Sequence, residues 1–241
     1  MGGGFESIIW VSKFNLVELL QPDHILDLLH VLILLPQKIN GKNRLEALWR
    51  ALAMNYDNVD YGPAAPVVEE SFVAWFKIRI LSFLKSIKYQ DCTTDFEHTI
   101  CQLDQESTME RSLNEIIGKF QFYTVGGSGH EYEQGLKHFH RHLLRLEYLQ
   151  HRWLTAMSKV AFGRCLFTTE NGLLGSGLDT IQRGDQVWLL CDGHTPFVLR
   201  PTDRAFSFNN GGACYLNGLM NGEMLEDRWG VKERIGCISI V

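Results

Sequence analysis

The spacing of apolar residues changes at Gly163, and this change constrains the fold more than any other feature of the sequence. Upstream, apolar residues recur every three or four positions, as on one face of an α-helix. Downstream the period becomes two, as in residues 165–169, and glycine-rich turns separate short apolar runs. The pattern predicts an α+β protein in which a helical N-terminal portion, 1–162, packs against a small C-terminal antiparallel β-barrel or curled sheet, 163–241.

Helical patterns cover most of the first portion. Residues 25–35 carry an apolar stripe that Pro36 ends, and residues 43–54 repeat it. A strong helix is predicted from Pro66, because proline suits the first helical turn and two glutamates follow it. The longest pattern is 131–160. Shorter helices are predicted at 94–103 and 107–122.

Short strands are predicted in the second portion, at 187–190, 197–200 and 213–217. The turns before them are QRGDQ at 182–186, CDGHTP at 191–196 and NNGG at 209–212, which are rich in the residues that favour tight turns. Several short strands joined by tight turns are typical of a small antiparallel barrel or curled sheet.

Composition excludes several classes of protein. With 45% apolar and 11% aromatic residues, the 241-residue chain has enough apolar material for a packed core. A net charge of −5 leaves no basic surplus for phosphates, so we expect no nucleic-acid binding.

The start MGGGFESIIWVSKF lacks the basic region of a secretory signal, which predicts a cytoplasmic protein. The most apolar segment, 25–35, is shorter than the ~20 residues of a membrane span. The six dispersed cysteines form no CxxC pair, which favours buried free thiols.

Histidines in the longest helical pattern offer a candidate metal site. His138 and His142 are four residues apart and share a helix face, the geometry with which two imidazoles hold one metal ion. No HExxH pattern is present, and a third ligand is not evident on the same turns. A hydrated polar helix face explains the same residues and is the preferred interpretation.

Catalytic patterns are absent from the sequence. Ser128 and Ser176 are flanked by glycines, but neither lies in GxSxG. Two carboxylate pairs, Asp179 with Asp185 and Glu223 with Glu226, fit turns or surface positions better than acid–base chemistry. We therefore predict no catalytic residues and no cofactor.

Aromatic residues on the helical patterns allow two interpretations. They could line an apolar ligand pocket between helices, or they could simply pack on one another in a filled core. The filled core is the more common arrangement, and both remain open. The residues of the possible pocket are Trp49, Trp75, Phe76, Phe139 and Trp153.

The C-terminal third resembles the segment that closes fungal heterokaryon incompatibility (HET) proteins. The resemblance rests on four motifs in the same order and spacing: GRCLFTTENGLLGSG, RGDQVWLL, PFVLRP and ACYLNGLMNGE. Upstream, ALWRAL at 47–52 is similar to a short Trp-Arg helix that precedes this module in the same proteins.

The resemblance implies kinship without implying a reaction. The family is defined by an N-terminal HET domain that triggers cell death, and we expect this chain to begin beyond that domain. The resemblance therefore implies that this chain is a noncatalytic recognition or regulatory module of fungal allorecognition, which contacts a protein partner. The alternative is a binder of a small apolar ligand, or a cofactor-free cyclase, in a fungal secondary-metabolite pathway.

Overall fold

A computed structural model describes residues 2–21, 24–36, 38–39, 42–55, 66–86, 144–190, 195–220 and 237–241. These residues belong to two compact units. The first unit comprises Met1–Leu20, Leu34–Ala64 and Ala156–Val241, and the second comprises Gln21–Ile33 and Ala65–Thr155. The predicted division at residue 162 stays a prediction.

Three described helices begin within one residue of their predicted starts, at Ile25, Arg44 and Pro66. The described helices are α1 Ile25–Leu34, α2 Arg44–Leu52, α3 Pro66–Ser86 and α4 His151–Val160, with a 3-10 turn at Glu18–Leu20. Asn43 caps α2, because its side-chain oxygen accepts a hydrogen bond from the Glu46 amide at 2.6 Å. Residues 144–149 are also helical, so the described part of the longest predicted helix is confirmed except for a turn at Gln150. The predicted helices at 94–103 and 107–122 lie outside the described residues.

The strands form one large mixed sheet and one small hairpin. The large sheet has the order β10-β8-β7-β6-β1-β4-β5-β9, and β2 pairs with β3. The strands are β1 Gly2–Val11, β2 Lys38–Ile39, β3 Lys42–Asn43, β4 Arg164–Thr169, β5 Leu174–Leu178, β6 Gln186–Leu190, β7 Phe197–Pro201, β8 Ser207–Ala213, β9 Tyr215–Leu216 and β10 Ser239–Ile240.

Strand β1 corrects the prediction that the first 162 residues are purely helical. It lies in the middle of the sheet, antiparallel to β6 on one side and to β4 on the other. Its register shifts between Gly4 and Glu6 and again between Ile8 and Trp10. These irregularities and the three glycines remove the regular alternation by which a strand is recognised in a sequence.

Two further details of the predicted sheet were wrong. The NNGG segment, predicted as a turn, lies inside β8. The sheet is not purely antiparallel, because β10 runs parallel to β8. It is curled but not closed, since no ladder joins the described edge strands β10 and β9.

The curl brings distant strands of the sheet together. A Cβ atom on Gly212 of β8 would lie 2.7 Å from Leu178 Cδ1 of β5, although four strands separate β8 and β5 in the sheet order. A single residue, Cys214, carries the chain from β8 to β9, which pairs with β5. The backbone therefore crosses the seam that the hydrogen-bonded ladders leave open.

Each unit has its own core. In the first, α2 packs against β5, and the Ser176 hydroxyl donates a 2.7 Å hydrogen bond to the Ala51 carbonyl. In the second, α3 contacts Trp153 through Phe72 and Trp75.

None of the described helices is both long and apolar enough to cross a lipid bilayer.

Candidate functional site

Arg164 lies at the seam of the curled sheet and is the strongest polar feature there. It opens β4 directly after Gly163, whose φ of 62° favours glycine. Its Nη1 donates a long hydrogen bond of 3.5 Å to the Ala213 carbonyl at the end of β8. Burial lowers the pKa of Arg164, because a low-dielectric environment disfavours the charged guanidinium. No carboxylate of the described residues forms an ion pair with it.

Exposed apolar side chains lie next to Arg164 in sequence and in the sheet. Phe162 is two residues before it and is 87% exposed, and Leu178 is its β5 partner and is 38% exposed. We call Phe162, Arg164 and Leu178 the Arg164 patch. Arginine and aromatic side chains are enriched at protein–protein interfaces.

Two buried thiols lie near Arg164, but they are not nucleophiles. Cys165 and Cys214 are both free and buried. Burial raises the pKa of Cys165 to about 12, with a further contribution from Asp179, and burial likewise raises the pKa of Cys214 to about 12. Since the thiolate is the reactive form, both groups are inert near neutral pH.

The structure gives structural roles to two of the polar residues that were considered for catalysis, Ser176 and Asp185. Ser176 is fully buried and holds the end of α2. Asp185 accepts two hydrogen bonds from Arg200, from Nε at 2.8 Å and Nη2 at 2.9 Å, and one from the Gln182 amide at 2.8 Å. Asp179 is exposed and makes no ion pair with a described residue. Ser128, Glu223 and Glu226 lie outside the described residues.

Asp185 and Arg200 form a structural ion pair rather than a reactive pair, and we call this ion pair the latch. The Asp185 side chain is 3% exposed and that of Arg200 is 37% exposed. The bidentate bond to Asp185 raises the pKa of Arg200, and Arg200 also donates to the Thr180 carbonyl at 2.7 Å. The latch ties β7 to the turn before β6, which the sequence predicted as a Gly-Asp turn.

The predicted metal site lies outside the described residues. His138 and His142 both fall in that part of the chain, so the metal hypothesis stays a prediction. Within the described ranges, no three His, Cys, Asp or Glu side chains come together as metal ligands would.

The predicted pocket residues divide between the two units. Trp75, Phe76 and Trp153 belong to the second unit, where Phe72 connects them. The Phe72 ring lies 4.9 Å from Trp153 and 5.6 Å from Phe76, measured between centroids. Trp49 belongs to the first unit, and Phe139 lies outside the described residues. We call Phe72, Trp75, Phe76 and Trp153 the aromatic cluster.

Three buried N–H groups in or beside the aromatic cluster have no acceptor among the described residues. They are the indole Nε1 of Trp75, the indole Nε1 of Trp153 and the Nε of Arg79. Leaving a buried donor unsatisfied costs about 1–3 kcal/mol. In the first unit, the Trp188 indole has an acceptor, Gln186 Oε1 at 3.1 Å, whereas the buried indole of Trp49 has none among the described residues. Buried donors without a described acceptor therefore occur in both units.

Ser71 fixes the position of Trp153. Its hydroxyl donates to the Leu149 carbonyl and accepts a 2.8 Å hydrogen bond from the Trp153 amide. These two groups would bond each other in a regular helix, so Ser71 is inserted into the helical ladder at the turn of Gln150. This inserted hydroxyl explains why α4 begins at His151 instead of continuing residues 144–149.

A comparison with protein families decides the kinship of the chain. The model of the Het-6 beta-barrel domain matches residues 86–231, more than half of the sequence. The chain belongs to the Het-6 beta-barrel domain family. This family is found in fungal heterokaryon incompatibility proteins, which confirms the resemblance drawn from the four motifs. No curated protein and no solved structure matches the chain.

The range matched by the family model includes only some of the described helices and strands. It includes α4 and β4 to β9, and thus Arg164, both buried thiols and the Asp185–Arg200 latch. Strands β1 and β10 lie outside the matched range although they belong to the same sheet. Of the aromatic cluster, the match includes Trp153 but not the α3 residues.

Sequence patterns alone did not indicate Arg164 or Arg79. Arg164 is part of the GRCLFTTENGLLGSG motif, but which described residues lie near its side chain depends on the fold. Arg79 is four residues after Trp75 and so shares its helix face, a signal that was available in the spacing.

Proposed function

We propose that this chain is a noncatalytic recognition module of the heterokaryon incompatibility type, which binds a partner protein through the Arg164 patch. The observation that carries the proposal is an exposed aromatic ring, Phe162, beside a partly buried arginine without a carboxylate partner among the described residues. Membership of the family supports the biological setting. Ser176 and Asp185 are engaged in structural hydrogen bonds, which argues against a reaction that uses either of them.

The chemistry of the patch favours a partner with an acidic group beside an apolar one. A carboxylate from the partner would give Arg164 a charged acceptor, which is stronger than its long hydrogen bond to the Ala213 carbonyl. Phe162 and Leu178 would be covered at the same time. An aromatic ring loses little conformational freedom on binding, which favours its use as an anchor.

We also infer that the curled sheet is the beta-barrel for which the family is described. The passage from β8 to β9 through Cys214 and the Arg164–Ala213 hydrogen bond both cross the open seam. On this inference the Arg164 patch surrounds the point of closure, so a bound partner would stabilise the closed sheet.

Site-specific photocrosslinking tests the proposed surface. A photoreactive phenylalanine analogue replaces Phe162 in one sample and Phe206 in another, and each protein is expressed in a fungal host. Phe206 is the matched control, because it is an equally simple aromatic side chain that is 75% exposed. We expect position 162 to label a discrete protein and Arg164→Gln to abolish the labelling. Equal labelling from both positions, or labelling that survives Arg164→Gln, would contradict the proposal.

The alternative function keeps one specific observation in its favour. A small-molecule-binding protein would use the unsatisfied donors of the aromatic cluster, whereas a recognition module gives them no role. The cyclase form of the alternative has no observation of its own and stays a prediction.

A further inference from the structure

The tip of the β4–β5 hairpin carries an asparagine followed by glycine, a pair with chemistry of its own. Three such pairs lie in the described part of the chain, and they begin at Asn171, Asn210 and Asn217. Asn171 is exposed and lies in the turn between β4 and β5. Asn210 lies within β8, and Asn217 is fully buried. Of these three pairs, the one at Asn171 combines access to water with a backbone outside the ladders.

Deamidation is the reaction that this pair supports. The Gly172 backbone nitrogen attacks Asn171 Cγ, because glycine has no Cβ atom to hinder the approach. A bond forms between these two atoms, the bond from Cγ to Nδ2 breaks, and ammonia leaves with the proton of the Gly172 nitrogen. Water then opens the cyclic imide at Cγ to give aspartate, or at the backbone carbonyl to give isoaspartate. Either product carries a carboxylate where the asparagine carried a neutral amide.

Hydrogen bonds hold both reacting groups in the folded protein. The Gly172 N–H donates to the Thr169 carbonyl at 2.9 Å. The Asn171 side chain donates from Nδ2 to Glu6 Oε1 on β1, and its backbone N–H donates to Glu6 Oε2 at 3.2 Å. The hairpin tip is thus docked on the central strand of the sheet. Ring closure requires these bonds to open, so the reaction depends on local opening of the tip.

The product of the reaction does not fit the contact with β1. Glu6 is 4% exposed, and its carboxylate accepts from the side chain and from the backbone of Asn171. Aspartate would place a second carboxylate where the amide donor lies, and two carboxylates at this separation repel each other. Isoaspartate would also add one carbon atom to the backbone of the turn. Both products therefore weaken the docking of the tip.

We propose that Asn171 is a deamidation site that its contact with Glu6 protects, and that deamidation prevents the hairpin tip from docking on β1 again. Each opening of the tip exposes the pair to the reaction, and closing does not reverse it. Modified molecules therefore accumulate with age, and their central strand is held less firmly. The proposal is independent of the recognition function, because it uses no residue of the Arg164 patch.

Peptide mapping by mass spectrometry tests the protection in the full chain, incubated at mildly alkaline pH. Glu6→Ala removes the carboxylate that holds the tip, so we expect deamidation at Asn171 to become at least about tenfold faster. Asn210 and Asn217 in the same molecules are internal controls, and their rates should not change. An unchanged rate at Asn171, or equal acceleration at all three positions, would overturn the protection by Glu6.

Denaturant unfolding tests the consequence of the modification. Asn171→Asp reproduces one product and should raise the unfolding equilibrium constant at least about fivefold. Combining it with Glu6→Gln supplies an amide donor for the new carboxylate, so the double variant should recover most of this loss. Asn210→Asp, at an exposed asparagine of β8, is the matched control and should have a smaller effect. If Asn171→Asp has the same effect in the Glu6→Gln background, repulsion between the two carboxylates is refuted.

Discussion

Three arginines show how one side chain serves different purposes in this protein. Arg200 is held by Asp185 in a bidentate bond, and its pKa is raised. Arg164 and Arg79 are partly buried without a described carboxylate partner, and their pKa values are lowered. The first arrangement stabilises the sheet, whereas the other two leave a cation without a carboxylate partner among the described residues.

The buried thiols make the free energy of unfolding depend on pH in the alkaline range. The pKa of Cys165 and of Cys214 is about 12 in the folded protein, against 9.0 for an unperturbed thiol. Between these pH values the folded state binds more protons than the unfolded state. The contribution of the thiols to the free energy of unfolding is therefore fully present below about pH 9 and is lost as the pH rises towards about 12. Each thiol contributes a slope of up to about 1.4 kcal/mol per pH unit.

Urea unfolding between about pH 8 and about pH 11 measures this effect. The control is the double variant Cys165→Ala, Cys214→Ala, in which all other titrating groups are retained. We expect the free energy of unfolding of the unmodified protein to fall more steeply with pH. Parallel curves would show that burial does not keep these thiols protonated.

Positions within strands show why some glycines of this chain are required. A Cβ atom on Gly175 of β5 would lie 2.5 Å from Phe167 Cζ and 2.6 Å from the Tyr215 carbonyl oxygen. On Gly177 it would meet the flexible tip of Ile181 and lie 3.3 Å from Cys214 Cβ. A backbone atom cannot move aside as the tip of a side chain can. Gly175 should therefore tolerate a larger residue less well than Gly177.

Replacing each glycine by alanine tests this difference. Gly175→Ala should lower the free energy of unfolding by about 3 kcal/mol, and Gly177→Ala by about 1 kcal/mol. Ile181→Val should relieve the second substitution, whereas Phe167→Leu should not relieve the first, because the Tyr215 carbonyl remains in the way. Denaturant unfolding of the four proteins provides the comparison, and equal costs at both positions would contradict the packing argument.

Elements with a strong local signal could be predicted from the sequence, and those that depend on distant partners could not. The starts of α1, α2 and α3 follow from apolar spacing, Asn43 and Pro66. The turn at Gln150 depends on Ser71, which is 78 residues away from Leu149. The LGSGL segment is a strand because Phe167 and Tyr215 occupy the space beside its glycines, and no local pattern contains that information.

The candidate sites follow the same rule. Apolar spacing grouped five aromatic residues as a possible pocket, which stays a prediction, and the structure places three of them, Trp75, Phe76 and Trp153, in one cluster. It did not reveal which N–H groups lack acceptors, because hydrogen-bond satisfaction depends on every neighbour in three dimensions. Trp49, included for its aromatic character, lies in the other unit.

Across the entire chain, the large sheet joins segments that are far apart in the sequence. Its central strand β1 comes from residues 2–11, and β10 adds two residues at an edge. Both strands lie outside the family match at residues 86–231. The matched range therefore leaves out two strands of the sheet, and it includes residues of both units.

Deleting these two strands separately tests their importance. Removal of residues 2–11 takes away the ladders to β4 and β6 together with buried Ile8, so we expect loss of cooperative thermal unfolding. Removal of residues 237–241 takes away two backbone hydrogen bonds to Phe206 and Phe208 and the packing of Ile238. This should cost only about 2–3 kcal/mol. Circular dichroism during heating distinguishes the outcomes, and a cooperative transition in the first deletion would contradict the central role of β1.

The position of β1 has a consequence during translation. Its partner strands β4 and β6 leave the ribosome about 10–35 s after it, at ordinary rates of synthesis. Throughout that delay Ile8, Ile9 and Trp10 have no sheet to join, and they can associate with other nascent chains. A chaperone that binds short apolar segments near the start of this polypeptide would therefore raise the yield of correctly assembled molecules in the cell.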